Sequence, residues 1–72
     1  MDVDGILRDI QGEFSGNEID TTDGVKIYFE KEWVHLRKSN TEPIIRIYSE
    51  STSEKKANEL AHVIMDKIKA LA

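Results

Sequence analysis

Three short segments in the middle of this chain place apolar residues at every second position. The first begins at Val25 and ends at Phe29, with Ile27 between them, and residues 33–37 and 45–48 repeat the alternation. Successive side chains of a strand point to opposite faces of a sheet. The pattern therefore predicts half-buried strands whose shared apolar face must be covered by other elements.

Two segments with helical spacing flank these strands and can supply that cover. Residues 2–13 are predicted to form an amphipathic helix with Asp2 as its N-cap. After the strands, Ser51 followed by Glu54 fits a capping box with Ser51 as the cap. The second helix then carries one apolar stripe, made of Ala57, Leu60, Ala61, Ile64, Ile68 and Leu71.

Residues 17–20 fit one more short strand, and Asp23-Gly24 is a typical turn dipeptide before the next. We therefore expect residues 1–72 to form a single α+β domain. Its small, mainly antiparallel sheet should carry an N-terminal and a C-terminal helix on one face.

Length and charge restrict the functional classes. A chain of 72 residues without cysteine has room for one small domain, which buries about 60% of its unfolded surface. Its formal net charge of −4 disfavours nucleic-acid binding, which needs a basic face. No apolar run approaches the roughly 20 residues of a membrane span, and the acidic first residues do not fit a signal peptide. A soluble cytoplasmic protein with no membrane partner is the expectation.

The segment after the second alternating strand concentrates groups that bind anions. Arg37 and Arg46 offer guanidinium groups, Ser39 and Thr41 offer hydroxyls, and Asn40 offers an amide that tolerates a left-handed backbone. Backbone N–H groups of a tight turn can converge on a phosphate, and an arginine adds a charge-assisted fork. The segment therefore predicts an oxyanion site.

The same residues also fit a plainer interpretation. Residues 39–43 can form an ordinary polar turn, with Pro43 biasing Glu42 toward an extended conformation before the next strand. The arginines can then lie on a solvated sheet surface and pair across strands with residues such as Glu50.

Metal ligands are sparse in the sequence. His62 and Asp66 stand at i,i+4 spacing, which is more often a surface pair on a helix. His35 has no second histidine or cysteine near it in the sequence. Because zinc sites gather three or four ligands, we predict no metal site and no cofactor in this chain.

The loop and its surroundings resemble a known family. The run Arg37-Lys38-Ser39-Asn40-Thr41-Glu42-Pro43, followed by Ile45-Arg46-Ile47-Tyr48 and Glu50, resembles the phosphate-binding loop of the C-terminal domain of the α-D-phosphohexomutases, the phosphoglucomutase and phosphomannomutase family. Asp23-Gly24-Val25-Lys26-Ile27 and Trp33-Val34-His35-Leu36-Arg37 resemble the two preceding strands. The likeness covers nearly the whole chain.

The resemblance implies a fold similar to the TATA-binding protein, without implying DNA binding. It implies the fourth domain of an enzyme that interconverts hexose 1-phosphates and hexose 6-phosphates, so the chain is expected to be an excised part of a longer protein. In the family this domain opens with a strand before the first helix, and here the chain begins at the helix. The partners are then a hexose phosphate and the other domains.

The resemblance also implies residue roles. Arg37, Ser39, Asn40 and Thr41 would hold the phosphate that does not react, and Arg46 would be a supporting cation. The family's phosphoserine and Mg²⁺ lie in other domains, so this chain should bind without catalysing. Asn40 leans toward glucose or mannose phosphates, because phosphoglucosamine mutases more often carry glycine there. The alternative is a stand-alone interaction module that uses an exposed sheet edge.

Overall fold

The computed structural model of the protein describes residues 2–39, 41–42 and 44–71. Two helices flank four strands along the chain. In order, they are α1 (Val3–Glu13), β1 (Glu18–Asp20), β2 (Val25–Tyr28), β3 (Trp33–Lys38), β4 (Ile45–Glu50) and α2 (Glu54–Leu71). The strands form one antiparallel sheet in the order β1-β2-β3-β4. The predicted α+β architecture is confirmed.

One face of the sheet lies under both helices, and we call it the covered face. Its central residues are fully or almost fully buried and pack with α1 and α2 in one apolar core. That core consists of Val3, Ile6, Leu7, Ile10, Val25, Ile27, Val34, Leu36, Ile64 and Ile68. The strand residues in it are those that the period-two alternation placed on one face.

The opposite face has no helix over it among the described residues, and we call it the open face. The register places its residues in cross-strand pairs, with Lys26 opposite His35 and His35 opposite Tyr48. Its members from β2, β3 and β4 are Lys26, Tyr28, Trp33, His35, Arg37, Arg46, Tyr48 and Glu50.

The two helix starts differ in how well the sequence predicted them. At α1, Asp2 is the N-cap as expected, and its Oδ1 accepts a 3.1 Å hydrogen bond from the Gly5 N–H. At α2 the prediction of Ser51 as the cap is wrong. The Ser53 Oγ accepts from the Lys56 N–H at 3.2 Å, while Ser51 donates to the Glu32 carboxylate at 2.6 Å. Ser51 directly follows β4 and is therefore still beside the β2–β3 connection.

The turn between β1 and β2 is held close to β3. Gly24 has a φ of +75°, and a Cβ there would lie 2.3 Å from the Leu36 carbonyl oxygen. Any other residue would be strained in this conformation and would collide with the strand backbone. At the start of the turn, the Asp20 Oδ1 accepts from the Thr22 N–H at 2.9 Å. The turn therefore has a fixed position at the end of the open face.

Candidate functional site

The β3–β4 loop closes directly after β3. The Ser39 N–H donates to the Ile44 carbonyl at 3.1 Å, and the Ile44 N–H donates to the Glu42 carbonyl at 2.8 Å. Ser39 is only 7% exposed, and among the described residues it is the one buried polar residue. These bonds fix where the loop leaves β3 and where it enters β4.

Two predicted hydroxyl donors meet in this loop. The Ser39 Oγ lies 3.4 Å from both the Thr41 Oγ1 and the Thr41 backbone N. Both distances are long for hydrogen bonds of these types. An anion with better geometry can therefore compete for the same hydroxyl and N–H groups. The predicted contributions of Asn40 and Pro43 lie outside the described residues.

The two predicted arginines are direct neighbours on the open face. Arg37 in β3 is opposite Arg46 in β4, and both are exposed. Like charges directly opposite each other in a sheet are destabilising. The arginines therefore form a positive pair beside the loop, in a chain whose overall charge is negative.

Only one of these arginines has a carboxylate partner among the described residues. The Arg37 Nη2 lies 3.2 Å from the Asp23 Oδ2. The suggested alternative partner, Glu50, instead accepts a 3.0 Å hydrogen bond from the Trp33 Nε1. Among the described residues, no carboxylate lies within ion-pair distance of Arg46.

A hollow of about 280 Å³ opens between the loop and the arginine pair. None of its described lining residues is acidic. They are Arg37, Lys38, Ser39, Thr41, Arg46 and Tyr48. The fold thus brings four of the five predicted site residues to one place, and they offer guanidinium, hydroxyl and N–H donors to an anion.

Lys38 differs from the arginines although it also lines the hollow. Its Nζ lies 3.4 Å from the Asp4 Oδ1 in the first turn of α1. Its charge is therefore directed toward the helix side of the sheet, as expected from the alternation along β3.

Sequence reasoning missed two residues of this region. Tyr48 belongs to the run that resembles the family's loop, and Asp23 belongs to the run before it, but neither is among the predicted site residues. The Asp23-Gly24 dipeptide did predict a turn, but the contact with Arg37 depends on how that turn docks on β3.

Metal ligands and membrane-spanning helices were the two other features that the sequence disfavoured. Residues 2–39, 41–42 and 44–71 contain no group of three potential metal ligands among histidine, cysteine, aspartate and glutamate. In the same residues, neither helix combines the length and apolarity that a membrane span requires.

The chain is similar in sequence to known proteins along most of its length. The chain matches the family described as "Phosphoglucomutase/phosphomannomutase, C-terminal domain" over residues 1–67. It is 62% identical over 47 residues to a phosphoglucomutase/phosphomannomutase of Thermococcus kodakarensis, which covers 65% of this chain and 10% of that protein.

Two further relatives align over more of the chain. A phosphomannomutase of Methanocaldococcus jannaschii is 35% identical over 66 residues, covering 92% of this chain and 15% of the relative. A phosphoglucosamine/phosphogalactosamine mutase of Sulfurisphaera tokodaii is 42% identical over 62 residues, covering 83% of this chain and 14% of the relative. The chain thus spans a small part of these relatives' length. It belongs to the phosphoglucomutase/phosphomannomutase family and corresponds to the C-terminal domain of these enzymes.

Proposed function

We propose that the hollow binds a phosphate group of a hexose phosphate, as part of a phosphohexomutase. The observation that carries the proposal is the direct pairing of Arg37 with Arg46 beside the Ser39 and Thr41 donors. Two adjacent exposed arginines are unfavourable in the empty site, and a phosphate dianion would compensate both charges. Membership of the mutase family supports a hexose phosphate as the phosphate ester.

Each residue has a distinct task in this proposal. The planar Arg37 guanidinium supplies two directed N–H donors to the phosphate oxygens. Ser39 and Thr41 supply hydroxyls and a backbone N–H, and Asn40 is proposed to add its amide. Arg46 supplies the second positive charge.

The purpose of this grip is to orient the substrate. Holding the phosphate that does not react fixes the position of the sugar hydroxyl, so the entropy of docking is lost before the chemical step. The donors recognise a tetrahedral anion and not the carbon that bears it. Either phosphate of a hexose bisphosphate would therefore fit the same hollow.

Phosphoryl transfer itself is assigned to other parts of the longer enzyme. In the family a phosphoserine and Mg²⁺, which lie in other domains, supply that chemistry. The proposed full-length protein converts hexose 1-phosphate to hexose 6-phosphate and back, while this chain alone binds without catalysing.

Titration of the ¹⁵N-labelled chain with inorganic phosphate tests the binding proposal. We expect a dissociation constant in the millimolar range, because one loop supplies only part of the substrate contacts. This corresponds to a binding free energy of about −4 kcal/mol. Amide shifts should concentrate in residues 38–41 and at Arg46. A parallel titration with sodium chloride at equal ionic strength is the control. Shifts that spread evenly, or that map to α2, would show that the loop is only a turn.

A stand-alone interaction module is the second candidate. It is favoured by the outer edge of β4, which has no partner strand among the described residues, and by the exposed Ile44 and Tyr48. Such a module would bind an extended peptide along β4 and would not respond to phosphate. The same titration therefore distinguishes the two functions.

A further inference from the structure

The turn of residues 21–24 contacts β3 next to the hollow at three points. Gly24 lies against the Leu36 carbonyl, the His35 Nε2 contacts the Asp23 carbonyl, and the Asp23 carboxylate contacts Arg37. The first two contacts involve the backbone of the turn. The position of Asp23 therefore does not depend on its ion pair with Arg37.

Three charges follow one another across the sheet at this point. Because β2 and β4 lie on opposite sides of β3, Asp23 reaches Arg37 from one side and Arg46 neighbours it on the other. Asp23 thus gives the three side chains a net charge of +1, where the two arginines alone would carry +2. Asp23 is not among the residues that line the hollow, so it acts on a phosphate there through its charge and through its contact with Arg37.

The ion pair between Asp23 and Arg37 is weak and can be broken at little cost in free energy. Its closest N–O distance is 3.2 Å, and the Asp23 and Arg37 side chains are 69% and 48% exposed. Exposed pairs of this kind are weak because water and salt screen them. Arg37 can therefore exchange the carboxylate for a phosphate oxygen.

We propose that Asp23 is an internal counter-ion that competes with phosphate for Arg37 and sets the affinity of the site. This inference rests on the proposed phosphate-binding function. When the hollow is empty, Asp23 compensates Arg37, and when phosphate binds, its charge repels the ligand. Both effects weaken binding and favour release. Such a site suits a reaction in which one phosphate must leave the hollow and another must enter it.

The test is the phosphate affinity of three variants of this chain. Asp23→Asn keeps the size of the side chain but removes its charge, and should bind phosphate about two- to five-fold more tightly, the range expected for loss of an exposed pair. Asp23→Glu restores the carboxylate and should stay near the wild-type affinity. Asp20→Asn is the matched control, since it removes the same charge from a carboxylate that contacts Thr22 and not Arg37.

The outcomes separate this inference from the proposed function. If phosphate does not shift the loop resonances of the wild type, the phosphate site itself is wrong and the inference falls with it. If the wild type binds but Asp23→Asn binds equally or more weakly, phosphate binding stands and Asp23 is not a competitor. Equal tightening in Asp20→Asn would also overturn the inference, because the effect would then be one of overall charge.

Discussion

The two faces of the sheet are built from the same strands but carry different properties. On the covered face, alternating aliphatic residues of β2 and β3 pack with both helices and exclude water. On the open face, charged and aromatic residues remain accessible, for example Lys26, whose ammonium lies 4.3 Å from the Trp33 ring centroid. Along each of these strands, every second residue packs in the core, and the residues between them are available for binding on the open face.

The separation of the two faces explains how a small domain can tolerate two like charges in a binding site. Burial of aliphatic side chains is the main source of folding free energy, and it is concentrated on the covered face. The arginine pair opposes folding only weakly, because water screens it on the open face. We therefore expect substitutions on one face to change mainly stability and substitutions on the other to change mainly binding.

The largest effect is expected on the covered face. Ile64 of α2 is 0% exposed, and Ile64→Ala should lower the free energy of unfolding by about 2–5 kcal/mol through lost burial and a cavity. Urea denaturation followed by circular dichroism measures it. Val63→Ala is the matched control in the same helix, because Val63 is 50% exposed and should change stability by less than about 0.5 kcal/mol. Comparable losses at both positions would contradict the conclusion that burial in the core is the main source of stability.

The next effect is expected on the open face, in the activity of the proposed full-length enzyme. Arg37→Ala would remove the proposed charge-assisted hydrogen bonds to phosphate, each worth about 1.5–3 kcal/mol. We expect a roughly ten- to hundred-fold loss of kcat/KM, with part of it in KM. Arg37→Lys keeps the charge but loses the planar fork, so it should remain folded and still be impaired.

Lys38→Ala is the control for this comparison. The Lys38 ammonium pairs with Asp4 of α1, so its loss should affect kcat/KM much less. Equal defects at positions 37 and 38 would indicate diffuse electrostatic attraction in place of a directed contact, and would contradict the proposed geometry.

A smaller effect of opposite sign is expected at Arg46. Arg46→Thr removes the like charge opposite Arg37 and introduces a residue that suits strands, so the chain should become more stable by about 0.2–1 kcal/mol. The same variant should bind phosphate more weakly. Thermal unfolding and phosphate titration of one sample measure both. A loss of stability would show that the arginine pair is not a source of repulsion.

The smallest effect is expected in the turn beside the open face. The hydrogen bonds from the Thr22 backbone and side chain hold the pKa of Asp20 below its ordinary value of 3.8. A carboxylate whose pKa is lower in the folded state stabilises the fold when the pH is above its pKa in the unfolded state. That stabilisation is lost as the pH falls through the pKa of the folded state. The melting temperature of the wild type should exceed that of Asp20→Asn at pH 6, and the difference should fade below about pH 4. A difference that persists in acid would exclude the charge as its cause.

The architecture was largely predictable because each element has a local signal. The alternation identified the strand residues that face the helices, and the position of Asp2 identified the start of α1. The prediction of the α2 cap failed because Ser51 and Ser53 both fit the local pattern of an N-cap. Contact with Glu32, which is distant in sequence, decided between them.

The candidate site was predictable in part, through the resemblance of residues 37–43 to a known loop. Arg37, Ser39, Thr41 and Arg46 do line one hollow, while their binding of phosphate stays a prediction. Asp23 was not predictable as their neighbour. It stands 14 positions before Arg37, and the contact exists only because Gly24 allows the turn to approach β3.

Sequence patterns alone were enough to predict which strand residues face the core and to recognise the family, while Leu71 of the predicted helical stripe is 40% exposed. These properties follow from periodicity and from a run of adjacent residues, and both are local features of a chain. Tertiary contacts place Arg37 between Asp23 and Arg46, and they direct Ser51 to Glu32 instead of to the start of α2. Strand register and turn docking decide such contacts, because they join distant segments by backbone pairing and close packing that no single segment specifies.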